Sequence, residues 1–237
     1  MTPEQNDEKL VVLSRQIAGL YIEVKKQVIA SEKLSPGARV PVQALNELRN
    51  AFDHYMRTEA VWRHGIKPGK GTVQDPSAYC EKNLQKALGH VYRAGYDALD
   101  VLTMNRIRQI EKYADSYQIS TLHTVITDYA VRIRQPFEEA VQQCDGAKQG
   151  KDVEPEHVDL HPGFFAEYKT ALKKFDSVLD VLHAYDKDLI AVEKETCMRE
   201  VEAATRYRKQ RNYAFVGFIL AVIGIILTIV LSRCQSQ

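Results

Sequence analysis

The sequence predicts an all-α protein: an antiparallel helical bundle, a long heptad-like stalk helix and one C-terminal transmembrane helix. Three observations predict it. Apolar residues recur at steps of three and four along most of the chain, and no alternating apolar–polar run competes with that period. Proline and glycine gather in a few short stretches that separate the periodic segments. Near the end, Ala214 to Leu231 form a charge-free apolar run, close to the roughly 20 residues that a helix needs to cross a bilayer.

The first helix is expected over 7–30, where Leu10, Leu13, Ile17, Leu20, Val24 and Val28 fall on one stripe. Residues 31–38, with Pro36 and Gly37, read as a loop. A second helix over 41–63 opens at Pro41 and would bury Leu45, Leu48, Phe52 and Tyr55. After a glycine-rich basic loop at 65–71 comes a long helix over 76–115. Asp75 is its N-cap and Pro76 its first residue. Its inward stripe is Leu84, Leu88, Val91, Gly95, Ala98 and Leu102, continued with a slight drift by Ile107, Ile110 and Ala114, and Gly95 would let another helix come close. A fourth helix over 119–144 carries Leu122, Ile126, Tyr129, Ile133, Phe137 and Ala140 inward. Pro136 should kink or split it, because proline removes a backbone donor.

The fifth helix begins near Phe164 in heptad register, through Phe165, Tyr168, Leu172, Phe175, Leu179, Leu182 and Leu189, with Asp186 on the seam. Beyond Leu189 the seam turns polar at Glu193, Thr196 and Glu200. No proline or glycine stands between Phe164 and Gly217, so this helix is expected to run unbroken into the apolar tail. The expected domains are a cytosolic bundle over 1–145, a linker over 146–163, the stalk over 164–212, a transmembrane helix over 213–232 and a short tail over 233–237. Arg206, Arg208, Lys209 and Arg211 precede the apolar run and Arg233 alone follows it. By the positive-inside rule the N-terminal part faces the cytosol. In a bacterium the membrane would be the plasma, or inner, membrane. The start of the chain, MTPEQNDEKL, lacks an apolar core, so a leader is not expected.

Lys and Arg number 32 against 31 Asp and Glu, a net charge of +1 that gives no case for a general polyanion binder. Cys80, Cys144, Cys197 and Cys234 lack metal-ligand spacing, and free thiols are expected in a cytosolic domain. No P-loop, GxSxG or HExxH pattern occurs, and no cofactor or metal is expected.

Two polar constellations remain. The first is Arg49, Asn50 and His54, in the form RNxxxH within LNELRNAFDH, with Asp53 and Arg57 beside it. The motif resembles that of the HEPN superfamily, small all-α domains with Arg, four to six residues, then His. The resemblance implies a groove between two protomers and metal-independent RNA cleavage. It implies His54 as proton-transfer residue, Arg49 as clamp on the scissile phosphate and Asn50 as orienting residue. Here the motif sits on the second helix, whereas many members carry it near the end of the domain. Residues five apart on a helix differ by about 140° in direction, so Arg49 and His54 would need an oblique groove to meet one phosphate. The other reading of these residues is a solvated helix face, with Arg49 and Asp53 as an i, i+4 pair.

The second constellation is His90, Arg93 and Asp97, with Tyr96, on the third helix. Steps of three and four put them on one face, as part of the same groove or as a structural hydrogen-bond network. On the tail, Tyr213 is an interfacial aromatic, and Gly217 and Gly224 share a face suited to helix–helix contact. Three functional readings follow. One is a membrane-anchored HEPN-like ribonuclease or toxin, acting as a dimer in a setting such as antiviral defence, with RNA as substrate. A second is a non-catalytic effector that senses a partner or ligand and acts on the membrane through oligomerised anchors. A third is a tail-anchored adaptor that docks proteins.

Overall fold

The computed structural model describes residues 3–34, 42–66, 75–148 and 161–234, with side chains described from residue 7 and, beyond residue 219, only at 221 and 224. It is all-helical, as expected; the described residues contain no strand. In chain order the helices are α1 (Pro3–Leu34), α2 (Val42–Trp62), α3 (Pro76–Ser116), α4 (Ile119–Val125), a π-helical turn (Ala130–Arg134) leading into α5 (Gln135–Lys148), α6 (His161–Ala184) and α7 (Asp186–Cys234). They fall into two compact units. One holds residues 1–116 and 128–184, the other residues 117–127 and 185–237.

In the first unit α3 is the hub, packed by α1, α2 and α6, and α5 lies on α6. The sequence explains why α3 takes the centre. The first six residues of its expected stripe, from Leu84 to Leu102, are buried, as is Ile110, while Ile107 and Ala114 are half-buried. Asp75 caps its start as expected, with Oδ1 accepting from the backbone N–H groups of Ser77 (2.9 Å) and Ala78 (3.1 Å). A Cβ on Gly95 would stand 2.6 Å from the Phe165 ring of α6 and 3.0 Å from Val24 of α1. The missing side chain thus lets both neighbours reach α3 at one level. Tyr96 and Tyr168 complete this layer, both fully buried, with the Tyr168 hydroxyl donating to Asp100.

Helix α2 corrects the expected stripe. Leu45 and Phe52 point outward, 43% and 65% exposed, and the buried residues are Ala44, Ala51 and Thr58. Small residues win this face because α3 offers small residues opposite, Cys80, Ala87 and Ala94, also at intervals of seven. Short side chains let the two backbones approach closely, and Thr58 Oγ1 reaches the Cys80 carbonyl at 3.4 Å. Large residues at those sites would hold the helices apart.

The expected fourth helix is divided. Helix α4 ends at Val125, Asp128 adopts a left-handed φ of 59°, and a π-turn precedes Gln135. There the Gln135 N–H bonds the Ala130 carbonyl, five residues back. That wider turn accommodates Pro136, which has no N–H to give and whose ring would crowd an ordinary α-turn. The division comes upstream of the proline, and α4 belongs to the second unit.

The expected unbroken fifth helix is also divided, at Tyr185. Asp186 and Asp188 occupy the first turn of α7, where carboxylates favour a helix N-terminus over a helix interior. The backbone bond from Leu189 N–H to the Tyr185 carbonyl, 2.9 Å, keeps the interruption to one residue. In this unit the polar seam of α7 holds α4. Glu193 accepts from Thr121 Oγ1 (2.5 Å) and from the Gln118 N–H (3.2 Å), and Glu200 accepts from the Gln118 side chain (3.2 Å).

Helix α7 runs continuously through the apolar segment to Cys234. Among the described residues no helix is long and apolar enough to cross a membrane. Most of the side chains of the 220–231 stretch lie outside the described residues. Tyr213, Gly217 and Gly224 are exposed, and nothing lies within 4 Å of a Cβ built on either glycine. Residues 146–148 and 161–163 of the expected linker belong to α5 and α6, and the rest of it, 149–160, lies outside the described residues. Cys80, Cys144 and Cys197 are free thiols; burial pushes the Cys144 thiol up to about 11.

Candidate functional site

Glu47 and His54 stand seven residues apart on α2, and Asn83 and His90 seven apart on α3, so each pair shares a helix face. The two faces meet antiparallel beside the small-residue seam. His54 Nδ1 lies 2.9 Å from Asn83 Oδ1, and His90 Nδ1 lies 2.7 Å from Glu47 Oε2. Arg93, one turn beyond His90, donates through Nε to the same carboxylate oxygen at 3.0 Å. The two imidazoles stack, with centroids 5.3 Å apart and planes inclined by 15°.

Asn83 donates its amide to the Tyr79 carbonyl at 2.8 Å, which turns its oxygen toward His54. His54 therefore donates from Nδ1 to Asn83 Oδ1. His90 Nδ1 faces both Glu47 Oε2 at 2.7 Å and Arg93 Nη2 at 2.9 Å, donating to the carboxylate in one tautomer and accepting from the guanidinium in the other, while Arg93 Nε donates to Glu47. Burial raises the Glu47 carboxyl, but the hydrogen bonds and charges of His90 and Arg93 outweigh it and hold the group below its ordinary range. Burial and the neighbouring Arg93 lower His90 against the opposing pull of Glu47. The cluster is half-buried, with side-chain exposures of 17% at His90, 25% at Glu47 and 26% at Arg93.

The fold thus brings His54, His90 and Arg93 together and leaves the other sequence candidates apart. Arg49 is exposed and lines a groove on the α1 side of α2, opposite in sense to His54. Asn50 is half-buried between these two faces. Arg57 pairs with Asp53 at 2.8 Å, so the expected Arg49–Asp53 pair is replaced by its neighbour one turn on. Asp97 is buried in α3, and Tyr96 turns to α6, its hydroxyl donating to the His161 carbonyl at 3.3 Å. Glu47 and Asn83 are absent from the sequence candidates. The signal that finds them is the shared interval of seven on two successive helices. Among the described residues no group of three His, Cys, Asp or Glu side chains is placed to hold a metal ion.

The groove beside Arg49 has a volume of about 630 Å³. Ile17, Ala18 and Tyr21 of α1 form one wall, and Leu45, Leu48, Phe52 and Tyr55 of α2 form the other. Val91 of α3 and Ala51 lie at its base. Among the described residues, Arg49 is its one charged lining residue. No protein-family model, curated protein or solved structure matches the chain.

Proposed function

We propose that this protein is a membrane-tethered, non-catalytic effector whose helical bundle takes up a ligand or partner. In this reading α7 is the stalk that carries the bundle to its apolar tail. The observation that supports it is the division of α2 between two faces. Its polar face is closed against α3, where Glu47 and the His90–Arg93 pair satisfy one another. Its open face is an apolar groove with a single cation, the composition of a binding surface. The tether rests on the charge-free run from Ala214 to Leu231 and its basic flank. Gly217 and Gly224 supply a face for self-association in the membrane.

A ribonuclease on the α2–α3 side is the second reading, favoured by the His54 ring stacked on His90 beside Arg93. In that case Arg93, and not Arg49, is the cation available to a phosphate near His54. The two readings separate on purified full-length protein in lipid nanodiscs. The effector reading expects RNA to survive incubation, His54→Ala to leave any growth phenotype of expression unchanged, and truncation before Tyr213 to abolish vesicle co-flotation. RNA cleavage lost on His54→Ala with the helical circular-dichroism signal retained would overturn it.

A further inference from the structure

The groove between α1 and α2 has features that narrow what it holds. Its base is well buried, with Val91 1% and Ala51 5% exposed, while Tyr21, Leu45 and Phe52 on its walls are 42%, 43% and 65% exposed. Ala18 and Ala51 put only methyl groups across the gap, which leaves a slot between two helices reaching a third. Arg49, at the rim, has no hydrogen-bond or ion-pair partner among the described residues.

We propose that this slot binds an anionic amphiphile: a slender apolar body with one acidic head, held by burial of the body and by Arg49 at the head. The volume of about 630 Å³ lies within the range of about 300–1,000 Å³ found for small-molecule sites. An apolar lining drives uptake of an alkyl or aromatic body. One unpaired guanidinium selects a carboxylate or phosphate over a neutral or cationic head, because its planar donors match two oxygens at once.

The inference rests on the ligand-binding half of the reading above. It is tested on full-length protein in zwitterionic nanodiscs with a diazirine-bearing dodecanoate as photoaffinity probe, followed by peptide mapping. Labelling is expected on α1 around Ala18 and on α2 around Phe52, with competition by unlabelled dodecanoate and not by dodecylamine. Arg49→Gln should weaken the competition about tenfold, the loss of one charge-assisted contact. Ala18→Trp, at an exposed site that tolerates size, should fill the slot and remove the labelling. Labelling confined to the apolar tail, labelling indifferent to both substitutions, or equal competition by the amine overturns the proposal. A groove that ignores dodecanoate while the chain still floats with vesicles and leaves RNA intact overturns the amphiphile alone. RNA cleavage dependent on His54 overturns the effector reading itself.

Discussion

Toward α3, helix α2 presents Ala44, Ala51 and Thr58 with Glu47 and His54 alongside; away from it, Val42, Leu45, Phe52 and Met56 are exposed. By hydrophobicity alone the second set belongs inside and the first outside. The fold does the reverse, because closeness between backbones depends on side-chain size and the hub helix offers alanines to match. The small-residue face closes and carries a polar network, each member satisfied by another. The large-residue face stays open, which leaves a groove. One helix thus supplies both a closed polar contact and an open apolar groove.

The sharpest way to break the contrast is to add bulk to the closed face. Ala87→Leu forces four heavy atoms less one methyl into a fully buried site against α2. It should lower unfolding free energy by about 1–3 kcal/mol, read by urea denaturation. No loss would mean that α2 and α3 are not held closely by their small residues. A smaller effect tests the polar layer. Glu47→Ala strands His90 and Arg93 in a half-buried setting and should cost about 1–2 kcal/mol, less than a fully buried pair because water still reaches both groups.

The same substitution should change the response to acid. Because His90 is depressed in the folded state, the unfolded chain takes up its proton first. Stability therefore falls as pH drops below about 6.5, the ordinary histidine value. Glu47 is also depressed, so its contribution is present above its ordinary carboxylate value and lost as pH falls below it. Urea midpoints from pH 7 to pH 4 should decline more steeply in the wild type than in Glu47→Ala with His90→Gln. Parallel declines would remove this cluster as the cause. The smallest effect belongs to the open face. Phe52→Ser should shift stability by no more than about 0.5 kcal/mol, since the ring is already largely in water. A large loss there would show that the groove is part of the core.

Much of the fold was legible because local chemistry and packing agree. The α3 stripe, the Asp75 cap and the gap at Gly95 are each dictated by a few neighbouring residues, and each is found as expected. The misreadings occur where a local signal competes with a distant one. Leu45 and Phe52 look like core until α3 supplies a surface that fits alanine better. Residues 164–217 contain no helix breaker, yet Asp186 gains more at the start of a new helix than inside an old one. The candidate site was legible by halves. His54, His90 and Arg93 were chosen from the sequence, but their partners Glu47 and Asn83 become visible only when the intervals of seven on α2 and α3 are superposed.

By itself the sequence determined the helical class, the cap and buried stripe of α3 and the chemistry of the apolar tail, since periodicity, capping and hydropathy act within a few turns. Only the tertiary structure decided which face of α2 is inside, and with it the separation of Arg49 from His54. The spacing of five already pointed them about 140° apart. Which of the two would meet α3 depended on side-chain volumes more than 25 residues away in the chain, from Cys80 to Ala94. His54 went to the polar contact and Arg49 to the groove.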